Sequence, residues 1–362
     1  MVYQNRIEKV QKLLKELNIE AAVVTSPSNF FYFSGTRLNS HERLQAIVIF
    51  KNENPFMIVH EMSKEEIHST GIYKTEFWKD GDSSLDLLAN ILPDSGTVSI
   101  DNQWPSQNLL HFMKLKKGLS FTCSTKIVEK VRRNKDRQET ELLRNSAAVA
   151  DLVMNQVFDF IKPGLSEKDI ANEIKRLFSI HKVGELSFNP IVGTGRNGAI
   201  PHHQSGDTIV AEGDMVVIDI GGILDDYCSD MTRTILVGGE ATNEMEKVYG
   251  IVKRAQEEAV KAVKPGIPLQ EIDRVARNII SNEGYGLHFT HRTGHGLGID
   301  VHEEPFVTSD NEQLLEEGMV ISIEPGIYLS GKFGVRIEDI VVVTANGSER
   351  LNNVVRDLIT VG

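Results

Sequence analysis

Two stretches of this chain put carboxylates where a strand ordinarily carries apolar side chains. The first, Met215-Val-Val-Ile-Asp-Ile-Gly, turns near Ile223-Leu-Asp-Asp226 and returns as Tyr227-Cys-Ser-Asp-Met-Thr-Arg-Thr-Ile-Leu-Val. A hairpin centred between Leu224 and Asp225 sets Asp219 opposite Asp230, with Cβ atoms about 5 Å apart. The second, Met319-Val-Ile-Ser-Ile-Glu-Pro-Gly-Ile-Tyr, turns around Gly331 and returns as Gly334-Val-Arg-Ile-Glu-Asp, which sets Glu324 opposite Glu338. Like charges opposed in a sheet are destabilising, and a carboxylate buried without a partner costs free energy. The bland explanation is that alternate residues of these strands face solvent. Two such pairs, each embedded in Val and Ile, argue instead for a counter-charge. Two divalent cations would balance four carboxylates.

Between the hairpins lies His291-Arg-Thr-Gly-His-Gly-Leu-Gly-Ile-Asp-Val-His-Glu-Glu-Pro. His291 and His295 have the spacing of a zinc-binding helix, but Gly294, Gly296 and Gly298 argue against a helix there, and no His-Glu-x-x-His motif occurs. One imidazole among four carboxylates makes an oxygen-rich site without thiolate, which suits manganese or cobalt better than a structural zinc. Pro201-His-His-Gln-Ser-Gly-Asp brings further histidines just before the first hairpin. Gly193-Thr-Gly-Arg-Asn-Gly198 matches a dinucleotide fingerprint, yet Pro201 follows where a helix N-terminus would have to hold the pyrophosphate, so that reading fails. Cys228 shares the strand face of Asp230 and is read as packing.

The elements that must position these residues fall into two groups. Residues 1–125 alternate helix-like and strand-like segments, an α/β domain: an amphipathic helix carrying Ile7, Val10 and Leu14 is followed by apolar runs at Ala21, Ala46, Phe56 and Thr97. A charged stretch, 126–136, reads as a solvated linker. Residues 137–362 begin with helix patterns over 138–160 and 166–181, add two more over 243–263 and 269–283, and are otherwise strands and glycine-rich turns, an α+β domain. The net charge of −12 disfavours nucleic acid and anionic membranes as partners. No apolar run reaches the ~18 residues of a membrane span, the N-terminus is too charged for a signal peptide, and two cysteines suit a reduced, cytoplasmic setting.

The ordered set Asp219, Asp230, His295, Glu324 and Glu338 resembles the ligand signature of the pita-bread metallopeptidases. That family includes the Xaa-Pro dipeptidases (prolidases), aminopeptidase P and the methionine aminopeptidases. The stretches that carry the resemblance are Val217-Ile-Asp-Ile-Gly, Ser229-Asp-Met-Thr-Arg-Thr, Thr293-Gly-His-Gly-Leu-Gly, Ser322-Ile-Glu-Pro-Gly and Gly334-Val-Arg-Ile-Glu-Asp. An N-terminal domain, Pro201-His202 and Asp300-Val-His302 are similar to the proline-directed branch. Ser40-His-Glu-Arg43 resembles a segment of bacterial Xaa-Pro dipeptidases that reaches a neighbouring subunit's active site; otherwise it is an exposed charged turn.

The resemblance implies a creatinase/prolidase-like N-terminal domain, a pita-bread catalytic domain and a homodimer. It implies two divalent metal ions, manganese first and cobalt or zinc as alternatives, bridged by Asp230 and Glu338. Asp219 completes one ion's shell, and His295 with Glu324 the other's. Glu324 carries a proton to the leaving proline nitrogen, and His302 donates to the oxyanion. His202, His291, His302 and Arg336 are the candidates for substrate contact, Arg336 being equally a charge partner for the carboxylates. The substrates implied are Xaa-Pro dipeptides or short peptides. The alternatives are aminopeptidase P action on longer Xaa-Pro peptides and, with less support, a non-catalytic binding module.

Overall fold

The computed structural model describes residues 2–67 and 73–362. The chain divides into two compact units, Met1–Arg132 and Arg133–Gly362.

The first unit is built on a six-stranded sheet in the spatial order Lys74–Trp78, Phe56–His60, Ala46–Phe50, Ala21–Val24, Gly96–Ile100, Leu119–Cys123. Ala21–Val24 pairs antiparallel with Ala46–Phe50 and parallel with Gly96–Ile100. Helix Val2–Glu16 buries Ile7, Val10 and Leu14, its expected apolar stripe. Ser26 accepts from the Asn29 backbone N–H to cap helix Pro27–Ser34, and Gly35 ends that helix at φ 72°, a left-handed conformation that glycine adopts without a Cβ penalty. Ser40–Arg43 forms a turn, exposed at His41 and Glu42, in which the Arg43 guanidinium holds both oxygens of Asp80.

Within 126–136 the charge pattern predicts a solvated linker. Val128–Arg133 is instead a short helix with Val128, Val131 and Arg132 buried. The charges are real but share their segment with apolar residues at helical spacing.

The second unit sets two helix pairs outside two sheets. Asp136 and Glu139 form a reciprocal cap at the start of helix Arg137–Phe160, and Ser166 with Asp169 does the same for Glu167–Ile180. Their apolar stripes, Val153, Met154 and Val157 with Ile170, Ile174 and Phe178, pack on Val216, Ile218, Ile220, Ile235 and Val237. Those residues belong to the four-stranded sheet Thr360–Val361, Met231–Val237, Asp214–Ile220, Ile191–Thr194. Helices Asn243–Ala262 and Leu269–Asn282 pack Val248, Val252, Ala255, Ile272 and Ala276 on Ile321, Ile323, Val341 and Val343. These last lie in the five-stranded sheet Glu303–Val307, Gly294–Gly296, Val320–Ile323, Asp339–Thr344, Gly347–Arg350. Pro265-Gly266 stops the first helix of this pair, with Gly266 at φ 83°. No helix among the described residues is long and apolar enough to cross a membrane.

Candidate metal centre

Strand periodicity aims the carboxylates. Val216, Ile218 and Ile220 face one helix pair, so Asp219 projects from the opposite face. Ile321 and Ile323 face the other pair, which turns Ser322 and, in step, Glu324 away from it. Val341 and Val343 do the same for Glu338. Each sheet thus spends one face on its helices and offers the other to the centre of the unit.

At the second hairpin the register is the expected one. Ile323 pairs with Asp339 on one side and Gly326 with Arg336 on the other, leaving Glu324 across from Glu338 where two ladders part. Their backbone N–H groups donate elsewhere, Glu324 to Thr293 O at 2.8 Å and Glu338 to Thr232 O at 3.1 Å. Those two bonds draw the histidine segment and the first hairpin onto the second.

The first hairpin corrects the sequence reading. Asp219 pairs with Thr232, not Asp230, and Leu224 pairs with Tyr227. The turn is centred between Asp225 and Asp226, both with positive φ (47° and 68°), the two-residue turn whose twist suits a hairpin. The shift is two residues, an even number, so Asp230 keeps its face and becomes a diagonal rather than a direct neighbour of Asp219.

All nine candidate residues line one cavity of about 650 Å³: Asp219, Asp230, His295, Glu324, Glu338, His202, His291, His302 and Arg336. One ligand-capable atom each from Asp230, His295 and Glu338 lies within 4.8 Å of the others. Burial, then repulsion from Glu338, Asp219 and Glu324, pushes the Asp230 carboxyl well above the usual range. Burial, then repulsion from Glu324 and Asp219, does so for Glu338. Burial raises Asp219 despite the Arg336 guanidinium 2.7 Å away and carries Glu324 up to about 7.

Three observations fit this set to bound cations. Asp219 Oδ1 and Glu338 Oε1 are buried without a hydrogen-bond partner, although the other oxygen of each is held, Asp219 Oδ2 by Arg336 and Glu338 Oε2 by the Thr232 hydroxyl. Burial pushes the His295 imidazole down to about 3, so it is neutral. Its Nδ1 lies 3.1 Å from Gly296 O, a group that only accepts, so Nδ1 carries the hydrogen and Nε2 presents a lone pair. That lone pair faces Asp230 Oδ2 at 3.5 Å and Glu324 Oε1 at 3.4 Å. Lone pair against ionised carboxylate is repulsive, and either a shared proton or a bound cation removes that repulsion.

Arg336 spends its donors inside the protein, on Thr232 Oγ1, Tyr328 Oη, Pro201 O and Asp219 Oδ2. His291 takes the Tyr328 hydroxyl on Nε2 at 2.8 Å and gives Nδ1–H to Arg292 O. His302 packs edge-on against His295 with ring centroids 4.3 Å apart, and His202 is exposed in the cavity.

Sequence reasoning missed several residues. Tyr328 links Arg336 to His291, and its period-2 step from Glu324 would have revealed its face. Buried Glu167 accepts from Thr194 N, Asn197 Nδ2 and Gly206 N and pairs with His203, tying down the segment that carries His202. Asp273 accepts from the Thr293 hydroxyl and from Arg277, which also holds the Phe289 and His291 carbonyls. Both look like ordinary helix acids in the sequence. Arg292 lines the cavity with its guanidinium 4.4 Å from the Phe306 ring. No hydrogen bond or ion pair engages that guanidinium among the described residues, and burial lowers its pKa.

Residues 141–345 match the model of metallopeptidase family M24, and residues 6–133 that of the creatinase/prolidase N-terminal domain. An uncharacterized peptidase of Staphylococcus aureus is 37% identical over 353 residues, covering 95% of this chain and 99% of its own. A prolidase from Thermococcus sibiricus superposes with a TM-score of 0.93 at 37% identity over 100% of both chains. An X-Pro aminopeptidase from Thermotoga maritima gives 0.85 at 29% identity, covering 98% and 99%. The architecture is the expected one, an α/β N-terminal domain followed by an α+β pita-bread domain.

Proposed function

The chain belongs to metallopeptidase family M24, and from that premise we propose that it hydrolyses the bond between an N-terminal residue and a following proline, with Xaa-Pro dipeptides as substrates. The observation that carries this reading is the convergence of four carboxylates, three buried and Glu324 partly so, on a neutral imidazole, with two carboxylate oxygens unpartnered.

Asp219, Asp230, His295, Glu324 and Glu338 would hold two divalent ions. The oxygen-rich donor set favours manganese, with cobalt or zinc as alternatives. When bound, such a pair supplies a hydroxide near neutral pH and an electrophile for the carbonyl oxygen. Glu324 takes the proton released by the attacking water and delivers it to the proline nitrogen. His302 donates to the carbonyl oxygen as negative charge develops there. Proline offers no backbone N–H, so a site built from carboxylates and histidines loses nothing by the missing donor. His202 contacts substrate from the cavity wall. His291 and Arg336 have their polar atoms committed, which favours for both the task of fixing the wall, Arg336 by holding Asp219.

A dipeptide differs from a longer peptide in the free carboxylate directly after proline. Arg336 is already spent, so Arg292 is the cavity cation whose donors remain for such a group. This favours dipeptidase over aminopeptidase P action. A homodimer and a cytoplasmic setting belong to the same reading; Cys123 and Cys228 are both free thiols. The test is hydrolysis of Ala-Pro, Ala-Pro-Ala and Ala-Ala by metal-analysed protein supplied with manganese, cobalt or zinc. Ala-Pro should be cleaved fastest. Equal rates on Ala-Ala would remove the proline assignment, and faster cleavage of Ala-Pro-Ala would shift the reading to aminopeptidase P.

A further inference from the structure

We propose that Lys135 and Glu303, remote in sequence and used by no step above, form a positioning pair that holds His302 in its working orientation. The inference rests on the role given to His302 in the function proposed above.

The Lys135 ammonium lies 3.1 Å from Glu303 Oε2, with side-chain exposures of 1% and 7%. Burying two charges carries a desolvation cost, and a buried ion pair is often no more stabilising than an apolar pair of the same volume. Core stability alone therefore accounts poorly for this pair. What it does is geometric. The other Glu303 oxygen, Oε1, accepts the Asp300 backbone N–H at 3.0 Å and closes the turn from Asp300 to Glu303. His302 lies inside that turn, next to the start of strand Glu303–Val307, so tying down buried Glu303 fixes the backbone from which the His302 imidazole lines the cavity.

Lys135 is itself anchored. Its backbone N–H donates to Gly318 O at 2.8 Å, and the next residue, Asp136, caps helix Arg137–Phe160. The turn also rests on Gly298, whose N–H donates to Asp300 O and whose carbonyl accepts from Cys228 N. A Cβ at Gly298 would come within 2.9 Å of Glu303 Oε1 and 3.0 Å of Lys135 Cε, so the pair fills the space that the glycine leaves open. The ammonium is thus a fixed post at a helix start, and Glu303 is the tie from that post to the turn bearing His302.

The experiment uses the full-length metal-loaded protein and the variants Glu303→Gln, Lys135→Met and Lys135→Arg, each also in a His302→Ala background. Metal content and thermal unfolding are recorded for every variant. For Ala-Pro, Glu303→Gln and Lys135→Met should lower kcat about tenfold with KM within about twofold, while Lys135→Arg stays within about threefold of the parent. In the His302→Ala background the same changes should cost nothing further, because the tie would have nothing left to hold. An equal loss in both backgrounds, or a lower unfolding temperature with unchanged kcat, would overturn the proposal. A readout independent of turnover is the imidazole NMR signal that disappears in His302→Ala. It should shift or broaden in Glu303→Gln, and an unmoved signal would count against the positioning role. If the parent cleaves no Xaa-Pro peptide, the function proposed above fails, whereas the NMR arm still decides whether Glu303 orients His302.

Discussion

Asp219 takes the Arg336 guanidinium on Oδ2 at 2.7 Å and leaves Oδ1 buried without a partner. One oxygen is satisfied inside the protein and the other is free for a ligand. Arg336→Met strips the satisfied side and leaves a buried carboxylate facing other carboxylates. Removing one partner of a buried pair costs about 3–5 kcal/mol, so the urea midpoint of Arg336→Met should fall by that equivalent. Arg336→Lys should recover only part, since one ammonium cannot serve Thr232, Tyr328 and Asp219 from a planar fork. A variant as stable as the parent would show that Asp219 needs no guanidinium.

Asp230 has the most crowded electrostatic position of the set, pressed by Glu338, Asp219 and Glu324. It is one of the residues that would hold the ions, and it lies within 4.8 Å of ligand-capable atoms of His295 and Glu338. Asp230→Ala should therefore drop bound metal below one ion per chain and abolish Ala-Pro hydrolysis. The checks are elemental analysis of dialysed protein and an initial-rate assay. Full activity in this variant would undo the ligand assignment.

The pH dependence of stability should change sign with metal. The carboxyls of Asp230, Glu338 and Glu324 are all raised in the fold, Glu324 to about 7. Acids raised above their unfolded values keep more protons in the native state, so that contribution is fully present below about pH 4 and is lost as pH rises through the folded values. In chelator, stability should fall between pH 7 and pH 8, above the range in which His291 and His295, held neutral at about 4 and about 3, add stability as pH rises and oppose the carboxyls. With manganese restored, the ions bind the ionised forms, and stability should instead rise over that interval. Urea titrations at the two pH values, with and without metal, test this. A chelated protein equally stable at both would contradict the crowding of these groups.

The carboxylates were legible in the sequence because each breaks an apolar strand pattern, and the period of two survives even a wrong turn. The first hairpin shows how. Placing its centre one position early moved the partner of Asp219 by two residues and left the face of Asp230 unchanged. The misplacement arose because Asp225-Asp226 lacks the glycine that usually marks paired left-handed turn residues. The supports were not legible. Glu167, Asp273 and Glu303 hold loops whose positions exist only once distant segments meet, and nothing local distinguishes them from surface acids. The helix at Val128–Arg133 was hidden by its charges.

Arg292 gives the sharpest separation of dipeptide from longer substrates. Its guanidinium stacks near the Phe306 ring at 4.4 Å and stands at the same cavity as Glu324. A stacked, half-buried cation loses hydration and gains from any anion that enters. The carboxylate of proline is that anion in a dipeptide, and amidation removes it. The parent should therefore prefer Ala-Pro to its C-terminal amide by at least about tenfold in kcat/KM, roughly 1.4 kcal/mol. Arg292→Met should bring Ala-Pro down to the level of the amide and leave the amide rate nearly as it was. Glu-Pro provides the control for an acidic first residue. If Arg292→Met penalises Glu-Pro alone and spares Ala-Pro, the guanidinium serves the N-terminal side chain, and the preference for dipeptides must come from elsewhere in the cavity.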